Sequence, residues 1–385
     1  MQNLLVVIYA HHESFPPTLN AIFNLSSKFK NIYILHKNHL VSSNILPKNC
    51  ILICNEKYTT VKDNLKINKF KKAYNFLIFC LQLVKSIKKN NITHCIAYDS
   101  IALFSLLISD SFNKKIVFWY HNHDILLKKN CNKFSIGWFA SEFEKKAIKK
   151  INLFSLPAQE RLQYFSIDKK VQYFFIPNYP SLLLYNNFKK ETRNDSVIRL
   201  IYQGSIGPNH GIEDIILVLN KCINSKKIQL YLKGSIDEWY KIHLIDKAQK
   251  EGVTENLFFF DYTAYDKVPE IASTCHIGIA IHKGTDIMNK TLGTSSNKIY
   301  EYAAIGLPVI LYDNEHFKKH LQQYKWANFS NCTIKSLLGL IKIIDDNYQI
   351  QSEAALKDFQ KSLNFEKAFL EASNSFLNIK KNDKT

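Results

Sequence analysis

Short runs rich in Val, Ile and Phe alternate with helix-length segments along the whole chain, and this alternation restricts the fold more than any other feature. In the first half the strand-like runs are Leu4–Tyr9, Ile32–Leu35, Ile51–Cys54, Cys95–Tyr98, Ile116–Trp119 and Gln172–Ile176. Between them, Thr18–Phe29, Phe70–Lys88, Ile101–Ser109 and Ser141–Lys150 have helical spacing or length. Apolar strands separated by helices predict a parallel sheet covered on both faces.

Pro177-Asn178-Tyr179-Pro180 breaks the pattern, and the polar stretch Tyr185–Ser196 reads as a linker. Alternation then restarts with Val197–Tyr202, Ile212–Leu219, Ile228–Leu232, Asp237–Lys250, Leu257–Phe260, Val268–Ser273, Ile277–Ile281, Asn297–Ala304 and Val309–Tyr312. The chain is therefore expected to be α/β, with two Rossmann-like doubly wound domains facing a central cleft. The first spans 1–184 and the second 185–360. Phe365, Phe369, Ala372 and Phe376 form a helical stripe in the tail. Residues 361–385 are expected to form a helix packing back toward the first domain. Ligands of such sheets bind at the carboxyl ends of the strands.

No stretch reaches the roughly 20 apolar residues of a membrane span. The most apolar segment, Ala73–Val84, reads as a buried helix. Met1–Ala10 lacks a basic start and a cleavage site and runs into His11-His12-Glu13, so a first strand is expected rather than a signal peptide. The eight cysteines show no C-x-x-C spacing, which fits thiols in a reducing cytoplasm. Charge is unevenly spread. Residues 1–190 hold 27 Lys+Arg against 10 Asp+Glu, a balance of +17, whereas residues 191–385 hold 24 against 23, a balance of +1. A compositional bias toward lysine would act on both halves. The asymmetry points to an anionic partner for the first half, such as a membrane surface or a phosphorylated lipid. Lys62–Lys89 interleaves lysines with Leu65, Phe70, Tyr74 and Phe76. It reads as a helix with a lysine-rich solvent side, and a membrane-facing helix is the other reading.

The most informative segment is Ser295-Ser296-Asn297-Lys298-Ile299-Tyr300-Glu301-Tyr302-Ala303-Ala304-Ile305-Gly306-Leu307-Pro308-Val309-Ile310. Ser295, Ser296 and Asn297 stand where a helix should start, and can cap it. Free amides and the positive end of the helix dipole there favour an anion. Glu301 lies one turn in, where a carboxylate can accept two sugar hydroxyls. A second motif, Tyr202-Gln203-Gly204-Ser205-Ile206-Gly207-Pro208-Asn209-His210-Gly211-Ile212-Glu213, takes a strand through a Gly-containing loop into a helix, the geometry of a phosphate cradle.

Together these motifs resemble those of family-4-like GT-B glycosyltransferases (glycosyl transferases group 1). The donor signature E-A-x-A-x-G-x-P-V-I stands here in the variant N-K-x-Y-E-Y. The resemblance implies that Glu301 holds the nucleotide ribose and that Asn297, Lys298 and the amides near Ser295 and Ser296 face the phosphates. An earlier glutamate of many members is Gly293 here. The loop with Gly204, Ser205, His210 and Gly211 resembles the family's first donor loop, with His210 at the position of a basic residue and Ser205 at that of a second cation. His210 is expected to be partly charged near neutral pH. Tyr262, after the strand-like Phe258-Phe259-Phe260, falls where the family places the nucleobase.

In the first half, Trp119-Tyr120-His121-Asn122-His123-Asp124 resembles the family's H-[DE] motif, which makes His123 and Asp124 the candidates for acid–base or hydroxyl-positioning work. His11 and His12 follow the first strand, where relatives carry glycines facing the donor. No cysteine or carboxylate has a familiar ligand spacing to these histidines, so the sequence gives no ground for a metal, and no cofactor is expected beyond the co-substrate.

The resemblance thus implies a cytoplasmic hexosyltransferase of the retaining type. It would move a sugar from a nucleoside diphosphate sugar to a glycan or lipid-linked acceptor in cell-surface polysaccharide or lipopolysaccharide synthesis. The charge asymmetry adds the expectation that it sits peripherally on the inner face of the plasma membrane, held through its N-terminal half. A sugar-nucleotide epimerase on the same fold is an alternative. A basic nucleic-acid-binding protein is another, disfavoured because only Arg161, Arg193 and Arg199 are arginines.

Overall fold

The computed structural model describes residues 2–37, 45–54, 68–186, 188 and 196–379. Most of the linker Tyr185–Ser196, and residues 62–67 with Leu65, lie outside them. The chain divides into two compact units, Met1–Pro177 with Ala368–Thr385, and Asn178–Lys367. Both are α/β, each built on a parallel sheet.

The first unit orders its strands β3-β2-β1-β4-β5-β6-β7. These are β1 (Asn3–Ile8), β2 (Asn31–Leu35), β3 (Cys50–Ile53), β4 (Ile92–Tyr98), β5 (Val117–His121), β6 (Leu153–Leu156) and β7 (Gln172–Phe175). The central strands are buried on both faces, which is why β1 reads as an uninterrupted apolar run. Strand order reverses between β1 and β4, so loops leaving these two strands diverge and open a crevice at their carboxyl ends. β6 was not legible, because its four residues sit in Asn152-Leu153-Phe154-Ser155-Leu156-Pro157, too short and too punctuated for the pattern.

The helix Lys69–Lys89 departs from the buried helix expected over Ala73–Val84. Asn68 caps it by accepting the Lys71 amide at 2.8 Å. Phe76, Phe79, Cys80 and Leu83 face the core, while Phe70 (87% exposed), Tyr74, Leu77 and Leu81 (65% exposed) line the opposite side. The segment is apolar on two faces, and only one has a sheet to cover.

The second unit orders its strands β11-β10-β8-β12-β13-β14. These are β8 (Val197–Gln203), β10 (Lys226–Lys233), β11 (Leu257–Phe260), β12 (Ile277–Ala280), β13 (Val309–Tyr312) and β14 (Ala327–Ser330), with the two-residue β9 (Cys222–Ile223) antiparallel to β10. Here the order reverses between β8 and β12. The boundary falls at Pro177/Asn178, seven residues before the 184/185 expected. Asn178 donates its amide to Thr294 O at 2.9 Å and its side-chain Nδ2 to Ser295 O at 2.7 Å, which commits it to the second unit.

The last helix, Phe365–Asn378, belongs to both units in sequence. Phe365 donates its amide to Pro180 O at 2.9 Å, and Glu366 accepts the Leu182 amide at 2.8 Å. Further on, Phe369 and Phe376 lie 5.2 and 5.1 Å from Trp119 of β5, ring to ring, and Phe376 lies 4.9 Å from His94 of β4. The buried Phe369, Ala372 and Phe376 therefore join the first unit's core from the far end of the sequence, while Phe365 stays with the second unit. No helix among the described residues is long and apolar enough to cross a membrane.

Candidate functional site

In the second unit the chemistry gathers where β8 and β12 part. β8 ends at Gln203, and Gly204 follows with φ +112°, a conformation that side chains rarely adopt. The loop returns through His210 to Gly211, φ +71°, where a Cβ would run into the Ile281 side chain. Gly204 is thus required by the backbone path, and Gly211 by both its backbone path and the close approach of Ile281, just past β12.

The helix Asn297–Ala304 enters beneath this loop. Tyr302 anchors it by accepting the Gln203 amide at 2.9 Å and donating to Ile201 O at 3.0 Å. That anchor sets Lys298 and Glu301, one turn apart, against the end of β8. Lys298 Nζ donates to the Tyr202 hydroxyl at 2.6 Å and lies 3.5 Å from His282 Nε2. It keeps some exposed surface as a residue, yet burial of its ammonium lowers its pKa to about 7 against the opposing pull of Glu301. Glu301 is buried, and Gln203 Nε2 donates to its Oε2 at 2.7 Å. Burial raises its pKa to about 7, opposed by the Gln203 bond and by Lys298, Lys233 and Tyr185. Lys233, at the end of β10, donates to the carbonyls of Lys267 and Val268 at 2.8 and 3.0 Å.

Two expectations need correction. Ser296 occupies the N-cap position but makes no capping side-chain bond, and Ser295 Oγ donates backward to Thr291 O at 2.9 Å. The serines shape the turn and leave the helix's first amides uncapped by them. His210 is not partly charged near neutral pH. Burial, then the Lys298 charge, lowers its pKa to about 4. Its Nδ1 accepts the Gly207 amide at 3.2 Å and lies 2.8 Å from the Tyr202 hydroxyl, so the ring braces the loop as a neutral group. His282, 4.7 Å from His210 ring to ring, is held neutral in the same way, with a pKa of about 2.

Asn297 Oδ1 is buried with no hydrogen-bond partner among the described residues. Ser205 is exposed at the loop, and Tyr262 is 46% exposed beyond β11. At position 293 a side chain would meet His320 Cδ2 at 2.9 Å, and the Gly293 carbonyl accepts the Tyr300 hydroxyl. Packing thus fills the space a residue larger than glycine would need. Lys233, His282 and Tyr185 were missed in the sequence. Only Lys233 left a signal, a lysine before glycine at the end of an apolar strand.

In the first unit the β1/β4 crevice carries the histidines. His123 is stacked between Phe15 (4.8 Å) and Tyr98 (5.1 Å), with Nε2 2.9 Å from Thr18 Oγ1. Burial, then His121 and Arg161, holds its pKa well below the usual value. Asp99 Oδ1 accepts the amides of His123 and Asp124 at 2.7 and 3.3 Å, and Arg161 donates to the His123 carbonyl. The Asp124 side chain is 60% exposed, with Arg161 Nη1 at 3.9 Å. His123 and Asp124 thus share Asp99 through their backbones, while their side chains point to different surroundings: one enclosed, one open to solvent.

His11 and His12 lie after β1 and meet a residue the sequence did not flag, His36 after β2. One ring nitrogen of each lies within 4.8 Å of the others. His36 stands outside the local spacing within which His11 and His12 show no ligand pattern.

A basic group, uncapped helix amides and a buried carboxylate at one switch point can take up an anion and sugar hydroxyls together. Comparison with known proteins bears on what this arrangement is. Residues 185–355 match the family model of glycosyl transferases group 1. No curated protein matches the chain. Among solved structures, the chain is similar to HepE of Anabaena, in complex with UDP and glucose, at 12% identity and TM-score 0.68, covering 98% of this chain and 100% of that one. It is similar to sucrose-phosphate synthase of Thermosynechococcus elongatus at 12% identity and TM-score 0.68, covering 98% of both chains. It is also similar to WaaG, a glycosyltransferase involved in lipopolysaccharide biosynthesis, at 11% identity and TM-score 0.64, covering 98% of this chain and 100% of that one.

Proposed function

We propose, from the premise that this chain has the GT-B glycosyltransferase fold and that residues 185–355 belong to glycosyl transferases group 1, that it transfers a hexosyl group from a nucleoside diphosphate sugar to a hydroxyl of a glycan or lipid-linked acceptor. The observation that carries this reading is the pairing of Lys298 with Glu301 on one helix against Gly204. Lys298 and the first amides of the helix would take the charge of the departing diphosphate, and Glu301 would accept the ribose hydroxyls. HepE has been solved with UDP and glucose, which supports a uridine nucleotide as the first candidate. Thermal stabilisation by UDP, GDP, dTDP and CMP compounds tests the reading. At least one nucleoside diphosphate should raise the unfolding temperature, and failure of all of them would overturn it.

The depressed pKa of Lys298 gives a further expectation. A bound diphosphate favours the charged amine and raises that pKa. Above pH 7 binding must therefore take up a proton, and affinity should fall as pH rises from 7 to 9. Glu301 is already ionised over most of this window and adds little to the change. Calorimetry at pH 8 in buffers of different ionisation enthalpy should show net proton uptake; zero uptake or release contradicts the role of Lys298.

On the acceptor side, His123 and Asp124 are proposed as the acid–base pair, with Asp124 as the solvent-open carboxylate and His123 as an enclosed, neutral imidazole that positions a hydroxyl. Retention of configuration is proposed from the family resemblance, and is read from the anomeric coupling constant of the product.

A lipid-linked acceptor at the inner face of the plasma membrane is supported by the helix Lys69–Lys89. Its exposed Phe70, Tyr74, Leu77 and Leu81 are accompanied by Lys69, Lys71, Lys72, Lys85, Lys88 and Lys89. Each lysine near an anionic surface contributes about 1 kcal/mol, and the apolar stripe gives the helix a face to insert. WaaG's part in lipopolysaccharide synthesis supports the same class of acceptor. The full chain should sediment with phosphatidylglycerol vesicles and not with phosphatidylcholine ones. Salt should release it, and Phe70→Ser with Leu81→Ser should weaken binding several-fold. Equal binding to both kinds of vesicle would remove the argument from charge.

A further inference from the structure

We propose that His11, His12 and His36 form a binding site for a divalent first-row metal ion of the zinc class, at the carboxyl ends of β1 and β2. Their juxtaposition follows from the register of the sheet. β1 and β2 pair in parallel with Val7 opposite Leu35, and Lys37 donates its amide to Ala10 O at 3.0 Å. The turn after β1 and the end of β2 are therefore laced together just where the three imidazoles meet. The ring centroids lie 4.3 Å (His11–His12), 4.9 Å (His12–His36) and 5.3 Å (His11–His36) apart.

Hydrogen bonding separates this cluster from a packed group of histidines. His36 Nδ1 lies 2.9 Å from the Lys37 carbonyl, which can only accept, so Nδ1 carries the proton. Nε2 is then the lone-pair nitrogen, and it is buried without a hydrogen-bond partner among the described residues. This is the arrangement of a metal-ligating histidine, whose outer nitrogen is oriented by a backbone carbonyl. Both ring nitrogens of His12 are likewise buried without a hydrogen bond, in a residue 1% exposed. Leaving such groups unmatched costs free energy that a shared metal would recover.

His11 Nδ1 accepts the Glu13 amide at 3.3 Å, a long bond that coordination can replace. The buried Glu13 carboxylate, 3.7 Å from His12 Nε2, brings a negative charge to the cation. Imidazole nitrogen with one carboxylate suits Zn²⁺ and its neighbours and disfavours Ca²⁺ and Mg²⁺, which take oxygen. Tetrahedral zinc–nitrogen bonds of about 2.0–2.1 Å set ligand nitrogens about 3.3 Å apart, so the rings must close in from a present spacing of up to 4.8 Å. The site shares no residue with the Lys298–Glu301 constellation and stands whether or not the donor reading holds.

The test uses tag-free full chain stripped of metal and titrated with Zn²⁺ against a chromophoric chelator. One Zn²⁺ per chain is expected, with a rise in unfolding temperature that a chelator reverses. X-ray absorption of the zinc-loaded wild type should count three imidazoles. His12→Asn combined with His36→Gln should weaken binding by more than about 100-fold. No stoichiometric uptake by the wild type, a shell with at most one imidazole, or undiminished uptake by a folded double variant would each overturn the proposal. Should that variant not fold, the imidazole count on the wild type decides alone.

Discussion

Replacing Lys298 with methionine should leave a folded protein whose transfer rate from a nucleotide sugar has fallen about 100- to 1,000-fold, the loss seen when one preorganised group facing developing charge is removed. Methionine fills similar space, and the ammonium it replaces is already costly to bury, so stability should hold or rise. The neighbouring imidazoles cannot substitute. His210 and His282 have pKa values of about 4 and 2 and stay neutral through the working range. Steady-state kinetics with the donor identified by thermal shift gives the measurement. A loss of less than about tenfold would mean that the diphosphate is stabilised elsewhere.

Glu301→Gln should weaken nucleoside diphosphate binding by roughly 10- to 100-fold at pH 8, since hydrogen bonds to a charged acceptor contribute about 1.5–3 kcal/mol. The amide can still accept from Gln203 through its oxygen, but offers N–H donors where the carboxylate offered lone pairs. The raised pKa of Glu301 adds a signature. Below pH 7 the wild-type carboxyl is itself largely protonated, so the gap between parent and variant should narrow as pH falls from 8 to 6. Calorimetric titration with the nucleotide at both values measures it. A gap independent of pH would place the ribose hydroxyls away from this carboxylate.

Legibility in the sequence followed the range of the interactions. The strand β11 and the helix Asn297–Ala304 were legible because neighbours in sequence decide them: an apolar run in one case, Gly306 and Pro308 in the other. β14 was not, since Ala327-Asn328-Phe329-Ser330 has one buried residue and takes its conformation from pairing with β13. Glu301 and Lys298 were legible from a motif, yet the depressed basicity of Lys298 was not, because it comes from burial beside Tyr202 on β8 and His282 just past β12. His36 stands 24 positions beyond His12 and meets it only through the parallel pairing of β1 with β2. His210 was misjudged for the same reason: the sequence gives the ring and its ordinary pKa, while its neutrality is a property of the enclosure.

The last helix bears on how the protein comes into being. Synthesis runs from the N-terminal side, yet Trp119 and His94, on two central strands of the first unit, meet Phe369 and Phe376, which are made long after them. Until those residues leave the ribosome, the first unit has an open apolar face and nothing to close it. The second unit, Asn178–Lys367, is one uninterrupted stretch and has every partner it needs before then. The first unit, though translated first, is therefore not completed first. A released chain cut short near residue 367 keeps the whole second unit but leaves Trp119 of the first unit uncovered, a surface that chaperones and proteases recognise.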